Sequence, residues 1–337
     1  MTLKSIAGIA SPDSGRIVIG HTGRGEEGKR ILFDSALKIN ETPQNRRVGY
    51  LFQNYALFPN MTVEENIAAG LRGKGTGNVF GIRREKGRSR QEIRKKVQEM
   101  TERFRLTGLE KQYPAQLSGG QQQRTALARI LAYEPEVLLL DEPFSAMDTY
   151  LKETLRLELA EVLKNYEGIS ILVTHDRDEA YQLCQEVLLM DQGKKLTGGK
   201  TEDVFAWPEN CRAARLTGCK NISRIRRLDS RHICALDWGG IRLTADRDVG
   251  EEITAAGIRA HDFEAVSRET AVSFGYENCI PAGNPKVCEM PFEWYVMLEN
   301  GLWWKREKTI HTHSADGIVP DYLWVNPSAI LLLKGEL

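Results

Sequence analysis

The stretch VLLLDEPFSAMD, Val137 to Asp148, decides how this chain is read. Its first residues, Val137 to Leu140, are consecutively apolar and predict a strand buried on both faces in the middle of a parallel sheet. Open α/β folds place their ligands at the carboxyl ends of such strands, and here the residues leaving the strand are Asp141 and Glu142. Adjacent carboxylates are costly unless a cation or a proton-transfer role compensates them. The chemistry that fits is phosphoryl transfer. Asp141 would hold Mg²⁺ directly or through water, and Glu142 would orient and deprotonate an attacking water. By itself the stretch is equally compatible with a solvated acidic turn.

Upstream lies LSGGQQQR, Leu117 to Arg124, leading into TALARILAY. Paired glycines let the backbone approach an anion closely, a helix amino terminus presents free N–H groups, and Ser118 adds a hydroxyl. The predicted result is a phosphate-binding cap made of Ser118, Gly119, Gly120 and Gln121. Taken with the apolar strand, the DE pair and SAMD, the chain resembles the nucleotide-binding subunits of ABC transporters. Leu117 to Gln121 stand as the signature motif, Val137 to Glu142 as Walker B, and Ser145 to Asp148 as the D-loop, which places Asp148 at the nucleotide.

The chain has 337 residues, enough for two domains, and its 41% hydrophobic content is that of a soluble globular protein. Lys and Arg total 46 and Asp and Glu total 46, a balance that argues against a nucleic-acid surface. No run reaches the roughly 18 apolar residues that span a bilayer, and the amino terminus has no signal-peptide pattern. A cytosolic protein is expected, reaching a membrane only through a partner. The cysteines, at 184, 211, 219, 234, 279 and 288, form no CxxC pair and no metal-ligand spacing, so reduced thiols are expected.

Taken in order, MTLKSIAGIASPDSGRIVI predicts a helix tail carrying Leu3, Ile6 and Ala7, then a turn and a strand. In the resembled family LKSIAG is the helix growing out of the phosphate-binding loop. Met1 stands just past where that loop would end, so an amino-terminally truncated cassette is expected, with weak ATP binding and negligible hydrolysis as written. GRGEEGKR, Gly23 to Arg30, imitates the loop, but Arg30 stands where a Ser or Thr should bind Mg²⁺, and a hairpin tip is the expectation there. VGYLF predicts a strand ending at Gln53, whose amide can face a metal-bound water and a nucleotide. The next loop carries Tyr55, Leu57 and Phe58, large apolar groups that a solvent loop would not favour. The resemblance makes this the Q-loop, leading to the groove for a membrane permease subunit. Residues 71 to 90 are Gly- and Arg-rich and predict a solvated connector. Ile93, Val97, Met100 and Phe104 then recur at helical spacing.

Beyond the D-loop, Leu151 to Tyr166 predict a helix and Ile169 to Val173 another buried strand, completing a βαβ unit. At its end His175 is placed to reach a γ-phosphate and matches the family's H-loop. Val187 to Met190 and the following turn are expected to close the sheet. From Ile222 onward short alternating segments divided by Gly, Asn and Asp predict a small all-β barrel. GIRAHDF, Gly257 to Phe263, resembles a segment of TOBE or OB-like domains, and TGCKNI, Thr217 to Ile222, looks most like the molybdate branch.

The expectation is therefore an α/β, P-loop NTPase-like ABC cassette over residues 1–210 with a helical subdomain at 54–131. A linker at 211–220 and a β-rich TOBE/OB-like domain at 221–337 would follow. The resemblance implies ATP and Mg²⁺ as cofactors, a second ATP-binding subunit and a permease as partners, and indirectly a solute-binding protein, at the cytoplasmic membrane face. Catalysis would rest on Glu142, His175 and Gln53, with Asp141 and Gln53 at the metal. The transported solute would be molybdate or another oxyanion.

Overall fold

In the computed structural model, residues 1–20, 29–71, 89–145, 147, 149–308, 319–335 and 337 are described. They divide into two compact units, Met1–Leu183 and Cys184–Leu337.

The first unit runs α1 (Thr2–Ile6), β1 (Arg16–Ile19), β2 (Arg30–Asp34), β3 (Ile39–Asn40), β4 (Val48–Leu51), α2 (Val63–Leu71) and α3 (Arg90–Arg103). It continues with α4 (Gly119–Ala132), β5 (Val137–Asp141), α5 (Thr149–Lys164), β6 (Ile169–Val173) and α6 (Arg177–Leu183). At its centre β5 lies between β4 and β6, parallel to both, with Leu51 opposite Leu140 and Asp141 opposite Val173. Alternation along β5 feeds two cores. Val137 and Leu139 pack with Leu3 of α1, Ala7 just past its end, Ile19, Leu32 and Tyr50. Leu138 and Leu140 pack with Ile67, Met100, Leu127 and Leu159 on the opposite face. Each fully buried leucine contributes about 1.5–3 kcal/mol, so this strand is the main anchor of both layers. Gly49 of β4 is required by that packing: a Cβ there would lie 2.3 Å from Ile130 Cγ2 of α4.

β6, expected to be a buried strand, is largely open. Ile169 and Val173 are 44% and 41% exposed, because β6 pairs only with β5 among the described strands. β1 and β2 pair antiparallel, as a hairpin requires, while residues 21–28, where the tip is expected, lie outside the described residues. Arg30, which ends the imitation phosphate loop, starts β2 and donates to the Arg46 carbonyl at 2.6 Å and to Glu136 at 2.8 Å. Fully buried Arg46 in turn donates to the Ser5 and Ile6 carbonyls at 2.6 and 2.9 Å, closing the carboxyl end of α1 with a cation. α3 begins at a Ser89–Glu92 capping box and buries Met100 and Phe104, as their spacing predicted. Most of the expected basic connector, residues 72–88, lies outside the described residues.

The second unit begins with the hairpin β7 (Glu186–Asp191) and β8 (Lys194–Lys200), followed by α7 (Thr201–Ala206) and α8 (Cys211–Leu216). Among the described residues β7 does not close the parallel sheet, as expected of it, but pairs with β8 in a two-stranded sheet. Residues 211–220, read as a linker, hold α8, capped by Asn210, whose side chain accepts from the Ala213 N–H at 2.9 Å. β9 (Asn221–Arg227), β10 (His232–Ala235), β11 (Ile241–Thr244), β12 (Ala255–Ile258), β13 (Phe263–Val266), α9 (Arg268–Ser273), β14 (Cys279–Pro281) and β15 (Lys286–Glu289) follow. The chain ends with β16 (Glu293–Met297), β17 (Trp303–Glu307), β18 (Tyr322–Val325) and β19 (Leu331–Leu333). They form a five-stranded sheet, β11-β10-β9-β12-β19, and two three-stranded sheets, β13-β18-β14 and β15-β16-β17. The expected barrel is thus not closed among the described residues. Alternation selects strands correctly, but which strands share hydrogen bonds depends on long-range register. The sheets pack on one core that includes Ile233, Trp294, Val296, Trp304 and Leu323. Within it Trp304 satisfies its indole by donating to the Phe263 carbonyl at 3.2 Å.

Candidate functional site

The parallel register brings the ends of β4, β5 and β6 to one edge, and the polar side chains leaving them converge there. Glu142 adopts φ 47°, a left-handed conformation unusual for a residue with a side chain. It is held by its N–H donating to the Val173 carbonyl at 2.9 Å, and by the Ser145 hydroxyl and N–H, which donate to its carbonyl at 3.0 and 3.2 Å. Its carboxylate receives the Gln53 amide N–H at 3.5 Å on one oxygen and faces His175 Nδ1 at 3.3 Å on the other. Gln53, Glu142 and His175, predicted from three separate segments, therefore meet. His175 is 75% exposed on its side chain and Glu142 32%, so the cluster opens to solvent on the His175 side.

Asp141 sits beside this group and is held from behind. Tyr50, opposite Leu139 in the β4–β5 register, donates its hydroxyl to Asp141 Oδ2 at 2.6 Å. Burial first, and then the Asp141 carboxylate, push the Tyr50 phenol well above its ordinary value, so it remains a donor. One oxygen of Asp141 is thereby fixed, and the other has no hydrogen-bond partner among the described residues. Sequence reasoning missed Tyr50; its only signal was a hydroxyl on an otherwise apolar strand.

Behind β6, Lys152 bridges Asp176 at 2.6 Å and the buried Glu179 at 2.7 Å. Thr174 also donates to Glu179. Burial alone would raise Asp176, but the Lys152 ammonium and the Glu179 and Asp178 N–H groups outweigh it and hold the carboxyl below its ordinary value. These contacts fix the turn that carries His175.

The signature segment forms the expected helix start. Ser118 caps α4: its hydroxyl accepts from the Gln121 N–H at 3.4 Å, while its own N–H donates to Gln121 Oε1 at 2.8 Å. Ser118 and Gly119 are exposed and Gly120 is buried. A Cβ on Gly119 would meet no atom within 4 Å, so nothing in the described chain demands a glycine there. Among the described residues, no hydrogen bond joins Ser118–Gln121 to Gln53, Asp141, Glu142 or His175. Asp148 lies outside the described residues.

The loop after Gln53 departs from its expected role in one respect. Tyr55, offered as a partner-facing side chain, is 6% exposed and belongs to the core, and Leu57 also packs against that core. Phe58 alone of the three is open, at 46%. Tyr55 and Ala56 take left-handed backbone angles of 59° and 44°, which turn the Tyr55 side chain inward. Arg129 of α4 holds that turn by donating to the Ala56 and Tyr55 carbonyls at 2.8 and 3.0 Å, with its guanidinium 5.2 Å from the Phe58 ring centroid. The fully buried Asn66 secures the far side, accepting from the Phe58 N–H and donating to the Phe58, Met61 and Thr62 carbonyls.

No described helix is long and apolar enough to cross a membrane. A family model described as ABC transporter matches residues 1–145. A sulfate/thiosulfate import ATP-binding protein of Agrobacterium fabrum is 42% identical over 209 residues, which cover 62% of this chain and 54% of that protein. The "Probable sulfate/thiosulfate import ATP-binding protein" of Chlorella vulgaris is 38% identical over 218 residues, covering 65% of this chain and 81% of that protein. A solved dimeric ATP-binding cassette in a post-hydrolysis state, bound to ADP and Pi, aligns with a TM-score of 0.44 and 27% identity over 59% of this chain and 79% of its own. The chain spans about half the length of most of the bacterial relatives it matches, 54% in the Agrobacterium case. On the matched cassette segment, and on its identity across four fifths of the Chlorella protein, the chain belongs to the ABC transporter family, among its ATP-binding chains.

Proposed function

We propose that this chain is the ATP-hydrolysing subunit of an ABC importer for sulfate or thiosulfate. The names of its relatives favour these oxyanions over the molybdate suggested by TGCKNI. The observation that carries the enzymatic part is the convergence of Gln53, Glu142 and His175 around one carboxylate at the sheet edge. Glu142 is the base for the attacking water, and its strained backbone fixes the carboxylate in advance of reaction. His175, exposed beside it, donates to the γ-phosphate. Asp141 and Gln53 would supply the protein oxygens that hold Mg²⁺. When bound, the ion neutralises charge on the phosphates. The residues fit it, since Tyr50 occupies only one Asp141 oxygen.

Ser118, Gly119, Gly120 and Gln121 serve a second copy of the chain, closing on ATP held at that copy's acidic edge; Asp148 belongs to the same contact. The open space at Gly119 supports this reading, because a glycine unneeded by its own fold suits close approach by another molecule. Phe58 and its held turn face the permease at the cytoplasmic side of the membrane. The β-rich second unit is the TOBE-like module, and the functional boundary between cassette and module falls at 211–220.

The test is transport by the chain extended upstream by a segment bearing a phosphate-binding loop, and co-purified with its membrane subunits in vesicles. Sulfate uptake should require ATP, and Glu142→Gln should retain nucleotide binding while hydrolysis falls about 10²–10⁴-fold. Hydrolysis at the parent rate in that variant would remove Glu142 from the mechanism. ATP-driven uptake of molybdate with none of sulfate would overturn the substrate.

A further inference from the structure

Three successive glutamines on α4, Gln121 to Gln123, do different things. Gln121 closes the Ser118 cap, and Gln122 donates through Nε2 to the Pro114 and Leu117 carbonyls at 3.1 and 3.2 Å, fixing the segment that leads into the helix. Gln123 alone of the three reaches a distant part of the chain: its Nε2 donates to the Pro143 carbonyl, 20 residues on, at 3.2 Å. Gln123 is 1% exposed, and its Oε1 has no hydrogen-bond partner among the described residues. A buried amide with one end unsatisfied is a cost that an apolar side chain of the same length would avoid. Packing therefore does not explain a glutamine there, and the bond to Pro143 does.

Pro143 directly follows Glu142 and is buried, and Gln123 is the one partner of its carbonyl among the described residues. The left-handed turn at Glu142, φ 47°, is thus tied to β6 through Val173, closed on itself by Ser145, and tied to α4 through Gln123. Without Nε2 the Pro143 carbonyl would have to turn toward another partner. Proline fixes its own φ, so the backbone on either side of that bond takes up the change, and the residue before it is the strained Glu142.

We propose that Gln123 is a positioning residue for Glu142, holding that carboxylate in place from α4 by fixing the Pro143 carbonyl. This role rests on the reading of Glu142 as the base for the attacking water. Because α4 begins at the Ser118 cap, the same tie joins the two halves of the proposed nucleotide chemistry mechanically within one chain.

The first measurement uses the full chain without nucleotide. Gln123→Met keeps the length of the side chain and removes the donor and the unpaired acceptor together, so their effects on stability offset and the thermal midpoint should stay within about 3 °C of the parent. In that variant the amides of Glu142 and Ser145 should exchange their hydrogens about 3–10-fold faster, while those of Leu138 and Leu140 on β5 keep the parent rate. The second measurement is turnover in the chain extended upstream by a segment bearing a phosphate-binding loop: kcat for ATP should fall about 10–100-fold with KM unchanged. Glu142→Gln measured beside it separates the two claims. Hydrolysis at the parent rate there removes Glu142 as the base, and this role with it; an inactive Glu142→Gln with parent turnover in Gln123→Met overturns the role of Gln123 alone. Unchanged exchange at Glu142 also overturns it, as does a midpoint lowered by more than about 3 °C, which would make Gln123 a support of the fold.

Discussion

Two of the residues proposed for nucleotide chemistry are out of place for opposite reasons. Glu142 is forced into a left-handed backbone by bonds from Ser145 and to Val173, a strain that a purely structural turn would avoid with glycine. Gly119 is a glycine where the chain needs none. Alanine has the better helix propensity by about 1 kcal/mol, so Gly119→Ala should leave the thermal midpoint unchanged or raised. The same substitution should lower ATP-dependent dimer formation, read by analytical ultracentrifugation in the Glu142→Gln background of the protein extended upstream by a phosphate-binding loop. A dimer as tight as that of the parent would sever Gly119 from the nucleotide. Both residues were legible in the sequence because their types are chemically costly or unusual where they stand. Tyr50 was not, since a tyrosine on a buried strand is most simply a packing residue, and only the β4–β5 register aims its hydroxyl at Asp141.

At the scale of elements, the turn between β6 and α6 depends on α5. Lys152 on α5 is the shared partner of Asp176 and buried Glu179, so Lys152→Ala would strand a carboxylate that is 3% exposed on its side chain. Breaking one side of a buried pair costs about 3–5 kcal/mol, and urea unfolding should show a loss of that order. A pH dependence follows from the same contact. The Asp176 carboxyl is held below its ordinary value, so it contributes stability above the unfolded pKa of about 3.9, which is lost as pH falls through the lower folded value. The urea midpoint of the parent should therefore fall on acidification below that unfolded value, and the fall should be shallower in Lys152→Ala. Equal slopes would mean that Lys152 does not set the Asp176 equilibrium. The helical spacing of Met100 and Phe104 identified α3 correctly, but the apolar run of β6 was misread as buried. Composition reports that a strand can be covered, whereas coverage depends on which strands pair with it.

Across the whole molecule, each of the two units has its own apolar core. Trp304→Ala removes a large side chain that is 3% exposed in the second unit's core, a loss of about 3–5 kcal/mol. Calorimetry should show the transition of residues 184–337 moving down while that of residues 1–183 stays in place; a common shift would mean that the units unfold as one. The sequence by itself determined the order of the cassette motifs, the buried β5, the capped start of α4 and the choice of Gln53, Asp141, Glu142 and His175 as candidate site residues. It could do so because hydrophobic periodicity, glycine turns and adjacent carboxylates are local signals. Only the tertiary structure decided that three of these residues share one carboxylate, that Tyr55 turns inward while Phe58 stays open, and that the carboxy-terminal strands form separate sheets, with no closed barrel among the described residues. Those outcomes rest on strand register and left-handed backbone turns, which are settled by contacts between segments far apart in the chain.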